Sequence, residues 1–168
     1  MGEGVALTGT PSIEELERSP GFPSRKRLLT GPVAVIECVQ EIPCDVCGSV
    51  CPYNAINVPS LKSLPQLDET KCVGCGACIP FCPGLAIFLV DSTYSREETL
   101  ISFPYELPAL PELDAVVEAT DRLGRGVTEG RVVKVLERDG FDGTVVISIA
   151  IPAAFAQQVR GINMRGGG

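Results

Sequence analysis

The hydrophobic positions fall into two regimes along the chain. From about Thr99 onward they come in short β-branched runs: "TLISF" (99–103), "DAVVEAT" (114–120), "GVTEGRVVKVLE" (126–137) and "GTVVISIAI" (143–151), broken by the turn segments "DRLGRG" and "RDGFDG". Four or five short strands predict a small barrel or curled sheet over residues 99–163, of which an SH3-like barrel is one form. Pro152 opens a predicted short helix, "PAAFAQQVRG", with Gly161 as its stop, and 164–168 reads as a disordered tail. Earlier in the chain, "VAVIECV" (33–39) lies between Gly31-Pro32 and Pro43 and predicts a strand. Residues 1–32 read as an arm. Within it Ser12 is an N-cap, with Glu15 three positions on, for a helix over Ser12–Arg18 that stops at Pro20-Gly21.

Composition narrows the class. Hydrophobic residues make up 45% of the chain, aromatics 5%, and 14 prolines describe a turn-rich globular protein rather than a disordered one. The longest apolar stretch, "LAIFLV" (85–90), is far too short to span a bilayer, and no charged-then-apolar leader opens the chain, so a cytoplasmic location is expected. A net charge of -7 disfavours nucleic acid, whose phosphates need a basic surface. Only "RKR" (25–27) runs against it, as a solvated basic turn or an aid to docking an acidic partner. There is no histidine, which removes the usual general base near neutral pH and the imidazole ligands of zinc, haem and Rieske sites. A bound metal must therefore be held mainly by sulfur.

All eight cysteines lie between Cys38 and Cys82, and the 86 residues after Cys82 (168 − 82) contain none. A disulfide framework would suit a secreted protein with dispersed cysteines, not this crowding. A zinc site on Cys44, Cys47, Cys72 and Cys75 would leave Cys38, Cys51, Cys78 and Cys82 unexplained. The third reading uses all of them. Cys72-x2-Cys75-x2-Cys78-x3-Cys82-Pro83 is the bacterial 4Fe-4S run, in which three thiolates wrap one cluster and the fourth reaches across to another. At an offset of 31, Cys44, Cys47, Cys51 and Pro52 fall on Cys75, Cys78, Cys82 and Pro83, and "PYNAINV" falls on "PGLAIFL". The repeat puts Glu41 where Cys72 stands, but clusters prefer thiolate, and Cys38 lies three residues earlier.

The assignment is therefore Cys38, Cys44, Cys47 and Cys82 for a first cluster, and Cys51, Cys72, Cys75 and Cys78 for a second, with "QEIP" looping out. The competing reading makes Cys38 a buried small hydrophobe beside a 3Fe-4S centre. Val39, Ile42, Val46, Val50, Ile56, Val73, Ile79, Phe81 and Ile87 would form an apolar shell, while Gly48, Gly74 and Gly76 would let backbone amides approach sulfur. The fold class is α+β: a di-cluster ferredoxin-like domain (33–98; two hairpins, two short helices) followed by the small barrel-like β domain.

Residues 33–91 resemble the bacterial di-cluster ferredoxins, a resemblance that implies a pseudo-twofold fold around two cubanes passing single electrons. The whole chain is similar, more particularly, to the small ferredoxin-like subunit of FAD-dependent amino-acid and opine dehydrogenases, of the proline and hydroxyproline types. That resemblance rests on "GPVAVIECVQEIPCDVC", "KCVGCGACIPFCPGLAIFLVD" and, more weakly, "FPYELPALPELDAVVEATDRLGR" and "VVKVLE". It implies that the flavin (FAD or FMN) and the substrate sit on partner dehydrogenase subunits. The chain has no P-loop and no complete G-x-G-x-x-G after a strand, since "GRGVTE" fails at its last position. The expected function is electron transfer within an oxidoreductase complex, with no catalytic site on this chain. A free-standing ferredoxin and a structural or regulatory iron-sulfur module are the alternatives.

Overall fold

The structure, a computed structural model, describes residues 4–164. The expected tail lies, from Arg165 on, outside the described residues. Nine strands form two sheets. β1 (Val33–Ile36), β4 (Ile87–Asp91), β5 (Glu98–Tyr105), β6 (Val116–Thr120), β7 (Gly126–Leu136), β8 (Val145–Pro152) and β9 (Gly161–Asn163) make one antiparallel sheet of order β1-β4-β5-β8-β7-β6-β9. β2 (Ile56–Asn57) and β3 (Gln66–Leu67) pair separately. The sheet runs without interruption across position 98, because β4 pairs with β5 as well as with β1.

Alternation along the central strands gives the sheet two apolar faces. On one side Ile147, Ile149 and Ile151 of β8 oppose Phe103, Ile101 and Thr99 of β5 and join a core reaching from Val35 in β1 to Ile162 in β9. The sheet thus curls around its own core, although its order is linear and no backbone ladder joins β1 to β9. On the other side Val146 and Ala34 meet Ile36, Ile79 and the cysteine loops, and the hydroxyls of Ser102 and Ser148 satisfy each other at 2.7 Å. Both faces of β8 are covered, which is why it reads as a continuous apolar run.

The helices are short. α2 (Ile13–Arg18) has the expected capping box: the Ser12 side chain accepts from the Glu15 amide, and Glu15 accepts from the Ser12 amide. α1 (Val5–Thr8) and α3 (Arg25–Leu28) flank it. α4 (Val46–Val50) contains Cys47, and a 3-10 turn at Ile79–Phe81 follows Cys78. The helix expected from Pro152 is instead one 3-10 turn, Ala153–Phe155, followed by edge strand β9. Thr120 accepts from the Arg160 amide, and this draws the segment back onto β6 before a second helical turn can form.

Arm residues 20 and 21 seat the cysteine region. The Ile36 amide donates to the Gly21 carbonyl (3.2 Å) and the Leu67 amide to the Pro20 carbonyl (2.9 Å). A Cβ on Gly21 would lie 3.0 Å from both Ile36 Cβ and the Pro65 oxygen, so a side chain there would push these neighbours aside. Among the described residues no helix is long and apolar enough to cross a membrane.

Candidate functional site

The offset of 31 found in the cysteine spacing holds for the backbone around it. Cys51 and Cys82 both leave their helical turns at φ −76°, ψ 110°. Three residues later Asn54 and Leu85 both take left-handed angles, φ 50° and 51°. The Cys51 and Cys82 carbonyls accept from those residues' amides, and the two sulfurs accept from the amides of Ala55 (3.3 Å) and Ala86 (3.4 Å). The Asp68 amide then donates to Ala55 O, and the Glu37 amide to Ala86 O, each at 2.8 Å. Ile36 pairs with Ile87 and Leu67 with Ile56, which are the same pairs shifted by 31. Two copies of one sequence motif therefore build two copies of one local structure, related by a pseudo-twofold whose opposite amides are capped by Pro20 and Gly21.

Each cysteine tetrad lines one cavity. Cys38, Cys44, Cys47 and Cys82 border a 300 Å³ cavity together with Glu37, Ile42, Ile87 and, from the arm, Val5, Gly9 and Pro11. Cys51, Cys72, Cys75 and Cys78 border a tighter one, 20 Å³, with Ala34, Tyr53, Ala55 and Val73. Among the described residues no three Cys, Asp or Glu converge closely enough to hold a single metal ion. A single zinc would draw four sulfurs to within about 4 Å of one another, so thiols grouped around a cavity suit a multi-iron core better than one ion.

The electrostatics are those of sulfurs that need a cation. Burial, then the neighbouring Cys82 and Cys44, raise the Cys38 thiol above its ordinary value. Burial with Cys82 pushes Cys47 up to about 11, and burial with Cys72 pushes Cys78 up to about 12. Left alone these thiols stay protonated, and iron bound to sulfur would reverse that. The amides on Cys51 and Cys82, and a longer one from Ala34 to Cys72 Sγ (3.5 Å), are ready donors to thiolate. A 4Fe-4S core thus fits what the residues offer.

The two halves are enclosed differently. Of the eight cysteines Cys75 alone is exposed, with Val73 and Tyr53 half-exposed beside it. At the other cavity the arm stands over the site. Glu37, directly before Cys38, is clamped by Arg122 and Arg160: Nε of each donates to one carboxylate oxygen at 2.6 Å, and Arg122 Nη2 adds a third bond at 2.6 Å. Side-chain exposures of 5% for Glu37, 13% for Arg122 and 4% for Arg160 make this a buried ion cluster, capped by Phe88 at 5.3 Å from the Arg160 guanidinium. Burial opposes ionisation of Glu37, yet the two guanidiniums together hold its carboxyl below the usual carboxylate range. Glu37 lies within the stretch that carries the family resemblance, but its partners lie 85 and 123 residues away.

One expectation needs correction. "RKR" is not a freely solvated turn: it forms α3, and Arg27 is turned inward onto four backbone carbonyls, those of Glu69, Gly31, Pro32 and Cys72. Gly74, at φ 68°, also has a packing reason to be glycine, since any Cβ there would collide with the Pro32 carbonyl.

Comparison with known proteins agrees with this geometry. Residues 65–88 match the family of 4Fe-4S binding domains. Over 82 residues the chain is 30% identical to the polyferredoxin-like subunit of an aliphatic sulfonate oxidoreductase from Pyrococcus furiosus, covering 49% of this chain and 41% of that one. It is 44% identical over 48 residues to one subunit of an ion-translocating oxidoreductase complex from Methanosarcina acetivorans, covering 29% and 17%. A subunit of the F(420)H(2) dehydrogenase of Methanosarcina mazei is 31% identical over 97 residues, 54% of each chain. The chain spans about half or less of the length of these relatives, and no solved structure matches it. The similarity to a 4Fe-4S binding domain thus covers Cys72, Cys75, Cys78 and Cys82.

Proposed function

We propose that this chain is the electron-transfer subunit of a multi-subunit oxidoreductase, and that it carries two 4Fe-4S clusters. The first is held by Cys38, Cys44, Cys47 and Cys82, the second by Cys51, Cys72, Cys75 and Cys78. The observation that carries the reading is the repeated backbone around Cys51 and Cys82, which delivers four sulfurs to each of two cavities. A cluster of this kind takes up and releases one electron at a time. Four protein thiolates around each leave no iron position open to substrate, so the chain's own work is to bind, orient and shield.

The surroundings support a relay whose second site is open to a partner: arm residues Val5, Gly9 and Pro11 line the first cavity, while exposed Cys75, Val73 and Tyr53 would let a partner's cofactor approach the second. Residues 99–163 and the arm serve as the docking part, on a sheet shared with the cluster-bearing residues 33–98. The partner is an FAD-dependent dehydrogenase of the amino-acid or opine type, with FAD or FMN on its own subunits. The stretch "GPVAVIECVQEIPCDVC" supports that choice, and the relatives' roles as subunits of oxidoreductases support the general one.

Anaerobic purification from the native source tests both levels. We expect about eight iron and eight sulfide ions per chain, and a stable complex containing flavoprotein subunits that reduces the clusters when substrate is added. One cluster per chain would refute the ligand assignment. A chain that purifies alone and serves soluble enzymes would refute the dedicated subunit.

A further inference from the structure

Arg27, alone in the basic tripeptide, is turned toward the second cavity. Its Nη2 donates to the carbonyls of Pro32 and Cys72, both at 2.8 Å, Nε to Glu69 O at 3.0 Å and Nη1 to Gly31 O at 3.1 Å. Every acceptor is a neutral peptide oxygen, and among the described residues no carboxylate pairs with it. The nearby acids are otherwise engaged. The Glu69 carboxylate accepts from the amide and hydroxyl of Ser24, Asp68 pairs with Lys71 at 2.9 Å, and Glu17 pairs with Arg25. A half-buried guanidinium in no ion pair thus touches the backbone of Cys72, whose sulfur lines the second cavity.

The other half has no equivalent. At the offset of 31 the counterpart of Cys72 is Glu41 and that of Pro32 is Ser63. The guanidiniums of Arg122 and Arg160 are bound to the carboxylate of Glu37, and of these three residues only Glu37 is among those that line the first cavity. The cations beside the first site therefore share a carboxylate, whereas the one on Cys72 has none.

We infer that Arg27 is a positioning residue that raises the reduction potential of the second cluster, by placing a guanidinium without an ion-pair partner on the carbonyl of Cys72. Reduction adds one negative charge to a cluster, and a fixed cation in a partly desolvated setting favours the charged, reduced form. The fork also ties Gly31-Pro32 to Cys72, at the place where the Ala34 amide approaches Cys72 Sγ and Pro32 presses on Gly74. The inference rests on the proposal that Cys51, Cys72, Cys75 and Cys78 hold a 4Fe-4S cluster.

The test compares the iron-loaded wild type with Arg27→Gln and Arg27→Lys, by anaerobic redox titration followed by EPR, and repeats it in a Cys38→Ser background to tag the second cluster's signal. In Arg27→Gln the equilibrium constant for reducing the second cluster should fall about tenfold, with the first unchanged. Arg27→Lys, which keeps the charge but not the fork, should stay close to wild type. If Arg27→Gln loses the second cluster outright, a loaded Arg27→Lys with near-wild-type potential still supports the charge. Unchanged potentials in Arg27→Gln, equal shifts at both clusters, or a lysine variant as impaired as the glutamine one would overturn it. A wild-type chain without iron and sulfide would refute the cluster reading instead, and analysis of the starting protein shows this before any variant is made.

Discussion

The ends of the two cysteine runs, from Cys51 and from Cys82, share backbone angles, amide-to-sulfur bonds and strand pairing, but the surroundings of the two runs share almost nothing. The first half lies under the arm and beside a buried Glu37–Arg122–Arg160 cluster. The second leaves Cys75 exposed and takes its cation from Arg27. Local hydrogen bonding and turn chemistry are properties of a dozen consecutive residues, so a repeated sequence repeats them. Burial and charge depend on whatever the rest of the chain packs against each copy, and that is not repeated. A duplicated motif therefore duplicates a binding geometry, whereas the environment that adjusts each cluster is assembled from elsewhere.

Replacing a ligand in one half and then in the other breaks the comparison most strongly. Cys38→Ser should convert the first cluster to a 3Fe-4S centre or lose it while the second persists, and Cys75→Ser should do the reverse. EPR together with iron analysis reads both, and two unchanged 4Fe-4S clusters in Cys38→Ser would reject the inserted-loop assignment. Removing the carboxylate from the buried ion cluster comes next. Glu37→Gln leaves two guanidiniums without their counter-charge and should destabilise the fold by about 3–5 kcal/mol, read by chemical denaturation under anaerobic conditions. Its pH dependence has a definite sign. The folded carboxyl lies below the usual value, so its contribution is full above the ordinary carboxylate range, ~4.3, and is lost as pH falls through the lowered value. The stability gap between wild type and Glu37→Gln should therefore be constant near neutrality and shrink below roughly pH 4.

Two glycines sharpen the contrast within the second half. Gly74 and Gly76 both have positive φ, 68° and 73°, but a Cβ on Gly76 meets only Ile79 Cδ1 at 3.5 Å and Leu89 Cδ2 at 3.8 Å, whereas one on Gly74 strikes the Pro32 carbonyl. Gly76→Ala should cost about 1–2 kcal/mol from the left-handed backbone alone. Gly74→Ala should cost more and disturb the second cluster's spectrum first. The smallest effect belongs to the arm: Ser12→Ala removes one side of the capping box and should lower stability by about 1 kcal/mol, visible as a small shift in thermal midpoint with both clusters intact.

The sequence by itself determined whatever short-range chemistry specifies. The α2 capping box is written in Ser12 and Glu15. The strands β1 and β5 to β8 are written in β-branched runs between turn residues, and the pseudo-twofold of the site is written in the offset of 31. Cysteine spacing also sorted the eight sulfurs into the two groups that line the two cavities. Only the tertiary structure decided that β4 and β5 join the cysteine region to the β-rich region in one sheet, and that the segment after Pro152 returns as β9 instead of continuing as a helix. The same holds for the two arginines that close on Glu37 and for Arg27, which turns inward on Cys72. These contacts join residues 42 to 123 positions apart through single side chains, and no periodicity or spacing in the chain encodes such a meeting. Their energy comes from desolvated charge and from shape, which exist only once the chain has folded.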